Sequence, residues 1–420
     1  MLTVYLVLLF CVPSSMVIQA LGQVGGPSTL LAAACFLWWL WHLVSRRESS
    51  TDRPSRVRGA ALLFLAAVTL AYAHSAGLAI PADERAPADG ALIRMVGVTG
   101  LVCVAVDGIR SWDRLWDLAR RWTLLLGALT MLVVVQIVTG EVWVDRLSLP
   151  GLSEPQGLAL VQRGQITRPS GTSVHPIELA SVLAMCMPLV VAVALRERAR
   201  PWLLRSIAVA VPAVILVSGS RTALVCGAVA FCVMLLGWGM RARLAGLGAA
   251  LLLLTVAAVT IPGLLGSLRG LFVGAAEDPS VTSRSDSWSV GWDSWSSHPW
   301  LGRGVGTFLP RYWIFDNQYL NLLVGGGVVV VGALLVLVVV AVNASLRAAR
   351  RCTGNERQLA FALAAGIVGG AVSLALFDAF SFPQALGSFF LLVGLAGSLH
   401  RQSRSGSASP EPATASPDGT

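Results

Sequence analysis

The sequence predicts an all-α, polytopic membrane protein of about twelve transmembrane helices, on three observations. The first is composition: 55% of the 420 residues are hydrophobic and only 13% are charged, about half the charged share of an ordinary soluble domain. The second is a succession of apolar runs close to the roughly 20 residues that cross a hydrocarbon core. The third is a charge bias between alternate connecting segments, which fixes an orientation.

The runs lie near residues 2–21, 28–44, 59–80, 91–108, 120–138, 176–195, 202–218, 221–238, 243–262, 318–342, 359–378 and 382–399. The first is long and lacks a basic start, so it is expected to stay as a helix rather than be cleaved. The seventh and eighth nearly abut. As one helix of about 32 residues they would span about 48 Å, well beyond a core of about 30 Å. A hairpin turning at Ser218, Gly219 and Ser220 is therefore expected, with Arg221 just after the turn.

All 31 basic residues are arginine. With the N-terminus inside, the inner segments hold 21 arginines against 9 acidic residues and the outer ones 10 against 13. Arginine is retained on the cytoplasmic side of short loops, so both termini are expected there. The net charge of +9 is then a topology signature. Because the arginines are dispersed over alternate loops, it does not point to nucleic acid. The seven cysteines lack the paired spacing of a metal or redox site and read as small hydrophobes. Residues 1–400 form one membrane domain, and 401–420, rich in Ser, Pro and Ala, read as a disordered cytoplasmic tail.

Two outer segments are too long to be turns, about 139–175 and, between the ninth and tenth runs, about 263–317. In the second, Trp288, Trp292 and Trp295 recur at helical spacing, as in a helix lying on a membrane surface. Arg284 is placed at the start of that helix, and the glycines of LGRGVGTF (301–308) permit sharp turns. No strand precedes this stretch and no Lys-Ser/Thr helix follows, so it is not a nucleotide loop. Asp316, Asn317 and Tyr319 open the tenth run, and ITRPSGTSVHPIELA opens the sixth with Pro176 at its first position and Glu178 in its first turn. His74 reads as a packed histidine, and Asp83, Glu84 and Asp89 of PADERAPADG as solvated turn charges.

Arg168, His175, Glu178, Arg221, Arg284, His298, Asp316 and Asp378 come from distant parts of the chain, yet the topology puts them all at one membrane face. Arginines there can grip phosphate oxygens in a bidentate way, and a diphosphate carries enough charge for two or three of them. A glycosyl transfer on the outer face must draw on a pre-activated, lipid-linked donor such as a polyprenyl-diphosphate sugar. Arg221 and Arg284 would hold the departing diphosphate, with Arg168, Asn317, Tyr319 and His298 as further binding candidates. Asp316, His175 and Glu178 are the candidate bases for the acceptor hydroxyl.

Four segments, RPSGTSVHPIELASVLAM, SGSRTAL, SRSDSWSVGWDSWSSHPWLGRGVGTF and DNQYLNLLVGGGVVVVG, resemble in order the motifs of the O-antigen ligase and polymerase superfamily of bacterial membrane glycosyltransferases. The resemblance covers roughly residues 165–395. It implies a twelve-span, metal-independent enzyme without cofactor that acts on the outer face from an undecaprenyl-diphosphate carrier, with Arg221 and Arg284 at the positions of the family's diphosphate-contacting arginines. Ligases of the family carry a histidine immediately before the asparagine, where this chain has Asp316. That departure looks more like the polymerase branches.

The expected partners are the undecaprenyl-diphosphate-linked saccharide, a glycan acceptor and the bilayer, and such a reaction invites a flippase and a chain-length protein besides. Two readings compete. A transporter or lipid-linked oligosaccharide flippase would show inverted repeats and charges near midplane, which the sequence lacks. A shape- and division-type peptidoglycan polymerase also uses an outer aspartate and a lipid-linked donor, and substrate alone separates it.

Overall fold

The computed structural model describes residues 1–45, 54–154, 161–163, 166–260 and 279–405 of the chain. It does not describe the side chains of residues 279–285, Arg284 among them. The expected disordered tail lies outside the described residues from 406 onward, as does the stretch 261–278 of the second long segment.

Thirteen α-helices are found among the described residues. They are α1 (Leu2–Cys11), α2 (Pro27–Ser45), α3 (Arg56–Ala76), α4 (Ala82–Gly108), α5 (Trp112–Thr139), α6 (Pro176–Arg196), α7 (Pro201–Val217), α8 (Arg221–Leu236), α9 (Met240–Thr260), α10 (Pro279–Ser296), α11 (Gln318–Ala349), α12 (Gly354–Leu374) and α13 (Pro383–Ser405). Eight of them are long and apolar enough to cross a membrane, and α1, α7 and α8 are shorter apolar helices. This is the composition of a multi-pass membrane protein. A small antiparallel hairpin, β1 (Val161–Arg163) with β2 (Ile166–Arg168), pairs Val161 with Arg168. Three-residue strands are too short to show a period-2 pattern, and the sequence did not suggest them.

α6 is the central helix. Nearly all of its side chains are buried, and it packs against α5, α7, α8, α12 and α13. Close helix contact in lipid relies on small residues. A Cβ at Gly100 of α4 would lie 2.5 Å from the Phe36 backbone of α2, and one at Gly366 of α12 would lie 2.6 Å from the Met185 carbonyl of α6. At the periphery, α9 exposes Leu244, Leu247, Leu251, Leu252 and Val259. Hydrocarbon, not water, suits such a face.

The helix termini form two distinct ends. At one end Arg58 donates to Asp107, Arg401 donates to the Ile109 carbonyl and Arg121 donates to Thr3. The beginning of α1 and the end of α13 therefore share this end. At the other end Thr172 donates to the Phe10 carbonyl, Gly171 donates to Gln136 and Gln384 binds the Glu178 carboxylate. The starts of α4, α6, α8, α11 and α13 gather there.

Two expectations need correction. The segment PADERAPADG is no exposed turn, because α4 begins at Ala82 and runs through it, with Pro87 inside. Glu84 is fully buried, accepting from Arg303 at 2.5 Å, from Tyr312 at 2.5 Å and from Arg311 at 3.2 Å. Arg311 also pairs with Asp83, and Tyr72 donates to Asp89. Asp83 and Glu84 anchor the 299–315 loop to α4, while Asp83 and Asp89 themselves stay exposed, as expected from the sequence. The second correction is that α11 is not one continuous helix: it breaks at Gly327, where φ is 66°.

That break explains the glycine stretch. Arg303 and Gly304 donate from their backbone amides to the carbonyls of Val324 and Gly325, while Val328 and Val329 donate to those of Pro299 and Trp300. The loop thus supplies the hydrogen bonds that the broken helix lacks, as buried backbone groups require. Its approach leaves no space for a side chain, since a Cβ at Gly302 would meet the Gly325 carbonyl carbon at 2.4 Å.

Candidate functional site

The α7–α8 hairpin turns at Ser218, Gly219 and Ser220 as its length demanded. Gly219 takes φ 59°, and the Ser220 side chain caps α8 by accepting from the Ala223 amide at 3.4 Å. Arg221 is the first residue of α8 and is half-buried. Arg168, at the end of β2, is buried and donates from Nε to the Ser218 carbonyl at 2.7 Å. Two of the expected phosphate-binding arginines therefore meet at one turn.

His175 is the N-cap of α6, and its Nδ1 accepts from the Ile177 amide at 3.1 Å. That bond assigns the ring proton to Nε2. Burial and the neighbouring Arg168 charge hold the imidazole below its ordinary range, opposed by the charge of Asp316. At neutral pH His175 is thus a neutral ring with one N–H to donate, which suits orientation of a substrate oxygen better than proton abstraction.

Glu178 is buried, with one carboxylate oxygen accepting from the Val174 amide at 2.9 Å and the other from the Gln384 amide at 2.7 Å. Gln384 in turn donates to the Leu9 carbonyl and to Thr172, and accepts from Ser173. This knot ties α1, the residue 170–174 turn, α6 and α13 together. The expectation of Glu178 as a base is not carried by this geometry.

Asp316 precedes the cap of α11. Asn317 accepts from the Tyr319 and Leu320 amides at 3.0 and 3.2 Å, and Tyr319 donates its hydroxyl to the Ala371 carbonyl at 2.9 Å. Gln318 accepts from the Phe380 amide at 2.8 Å. Asn317 and Tyr319, expected to bind substrate, spend these groups docking α11 onto the end of α12. That docking brings Asp316 beside Asp378, whose carboxyl is pushed up to about 6 by burial, with the Asp316 charge acting in the same direction and the Ser381 hydrogen bond opposing. Asp316 is half-buried, and among the described residues its carboxylate has no hydrogen bond or ion pair.

His298 lies farther along, its ring 6.2 Å from that of His74 in an edge contact. Its carbonyl accepts from the Gly302 amide at the start of the glycine loop. The backbone of α10 sits on the first turns of α11, with Trp313 donating to Ser287 at 2.8 Å and Gly291 facing Leu320. Trp288 and Trp292 are exposed, whereas Trp295 turns inward and donates to the Pro299 carbonyl. Arg284 belongs to this helix, and its side chain lies outside the described residues.

A cavity of about 570 Å³ opens beside Asp378. Its lining includes Asp378, Gln318, Asn321, Trp313 and Phe315, together with Arg94 of α4. Sequence reasoning passed over Arg94, although an arginine amid ALIRMVGVTG interrupts an otherwise apolar run.

Fold and site together define a polytopic helical membrane protein that gathers arginines, a histidine and two aspartates at one end of its bundle. Residues 204–336, which run from within α7 through α8, α9 and α10 into α11, match the family described as O-antigen ligase. This match supports placing the chain with the O-antigen ligase and polymerase superfamily and indicates a ligase- or polymerase-like part in glycan assembly. No curated protein matches the chain.

Proposed function

We propose that the chain is a glycan polymerase or ligase that transfers a saccharide from an undecaprenyl-diphosphate carrier to an acceptor hydroxyl on the extracytoplasmic face. The observation that carries this reading is the convergence of Arg168 on the Ser218 carbonyl, one turn from Arg221, with the charges of Arg168 and Asp316 both acting on His175. In this account Arg168, Arg221 and, from α10, Arg284 hold the diphosphate oxygens. Asp316 takes the proton of the acceptor hydroxyl as its oxygen bonds to the anomeric carbon. The bond from that carbon to the phosphate oxygen breaks, and undecaprenyl diphosphate leaves with the electron pair, its charge held by the guanidinium groups. The Nε2–H of His175 orients the reacting oxygen. A single displacement of this kind inverts the anomeric configuration.

The orientation follows from the arginine bias, which assigns the end bearing Thr3 and Arg401 to the cytoplasm. The exposed indoles of Trp288 and Trp292 suit headgroup depth at the opposite surface. Aspartate at 316 favours polymerase over ligase. In a strain lacking the chain, wild-type complementation should restore surface polymer. Arg221→Ala at equal expression should leave lipid-linked repeat units to accumulate. Full polymer from that variant would overturn the reading.

A further inference from the structure

Arg94 lies twelve residues into α4, about 18 Å from the helix start at 1.5 Å per residue. An arginine at such depth is kept for a partner or a function. Its Nε is buried without a hydrogen-bond partner, and among the described residues no carboxylate pairs with its guanidinium. The neighbouring Glu84 is already shared by Arg303, Arg311 and Tyr312. Arg94 instead lines the cavity, with its Nη1 on the side of Gly90, toward the helix start.

The rest of the lining indicates what the guanidinium awaits. Trp313, Phe308 and Phe315 put aromatic rings in the wall, Asn321 an amide and Asp378 a carboxyl. A cavity of about 570 Å³ falls within the range of about 300–1,000 Å³ usual for small-ligand sites, and aromatic walls with a few fixed polar groups are their usual lining. Sugar rings present apolar faces and hydroxyls to such a surface. A lone guanidinium adds selectivity for one oxyanion held in a bidentate way.

We infer that this cavity is a subsite for an acidic saccharide unit, its carboxylate held by Arg94, with Asp378 in its wall and separate from the Arg168–Arg221 turn. The inference rests on the glycan-transfer reading for its ligand class. It adds that the glycan handled here carries a negative charge one unit or so from the bond being made.

The test uses the purified full chain in nanodiscs of zwitterionic lipid, with calorimetric titration of a hexuronate methyl glycoside and its neutral hexose counterpart. Wild type should bind the hexuronate at least ten-fold more tightly than the neutral sugar. Arg94→Gln should abolish that preference, Arg94→Lys should lose most of it, and Arg221→Ala should keep it. Because the cation is uncompensated, Arg94→Gln should unfold at or above the wild-type temperature. Equal binding of the two sugars by wild type, or an unchanged preference in Arg94→Gln, overturns the inference. So does displacement of the hexuronate by equimolar inorganic phosphate, which would assign the cavity to a phosphate or lipid headgroup, or a marked loss of stability in Arg94→Gln, which would make the residue structural. Binding is read without turnover, so loss of the glycosyl-transfer reading alone would leave the hexuronate preference intact.

Discussion

Asp378 follows the end of α12, half-buried beside Asp316, with its carboxyl pushed up to about 6. In the unfolded chain an aspartate titrates near 3.9. Between about pH 4 and pH 6 the folded protein therefore holds a proton that the unfolded chain releases. Stability is greatest below that window, falls as pH rises through it and levels out above it. The gap corresponds to at most about 3 kcal/mol, and solvent reaching a half-buried group reduces it to about 1–2 kcal/mol. Asp378→Asn removes the ionisable group and keeps the shape. At pH 7.5 the variant should unfold about 1–2 °C above wild type, and the difference should close by pH 4. The 14 tryptophans make intrinsic fluorescence during a thermal ramp in detergent a direct assay. A variant less stable than wild type at pH 7.5, or an advantage that persists unchanged at pH 4, would refute the reasoning.

Asp316→Asn should lower transfer by about 10²–10⁴-fold, the usual share of a general base, without lowering the unfolding temperature. Glu178 behaves differently if its part is to join α6 to α13: Glu178→Ala should cost about 2–4 kcal/mol through two lost charge-assisted hydrogen bonds, whereas Glu178→Gln should retain a measurable share of activity. Gly327→Ala would place a Cβ 2.2 Å from the Trp300 carbonyl oxygen at a backbone φ of 66°. A loss of more than about 3 kcal/mol is expected, visible as aggregation in size-exclusion chromatography.

The membrane class and the α7–α8 hairpin were legible because length arithmetic alone forbids a single helix through Arg221. The convergence of Arg168, His175, Arg221, Asp316 and Asp378 at one end was legible from the alternation of spans. Less visible was anything decided by a partner hundreds of residues away. Glu84 looks solvated in PADERAPADG until Arg303, Arg311 and Tyr312 surround it. Glu178 looks like a candidate base until the Gln384 amide occupies it. The glycines of 301–308 announce sharp turns, but the broken helix they repair lies some twenty residues farther on. Arg94 was hidden by its own run, which stays apolar enough on average to absorb one charge.

The most direct test of the account is reconstituted transfer from a labelled polyprenyl-diphosphate oligosaccharide by purified protein, with released polyprenyl diphosphate and new glycosidic bonds counted together. The two should appear in equal numbers with wild type and fall at least a hundred-fold in both Arg221→Ala and Asp316→Asn. Turnover by either variant at the wild-type rate, or movement of the intact lipid-linked donor across the bilayer without bond formation, would contradict it.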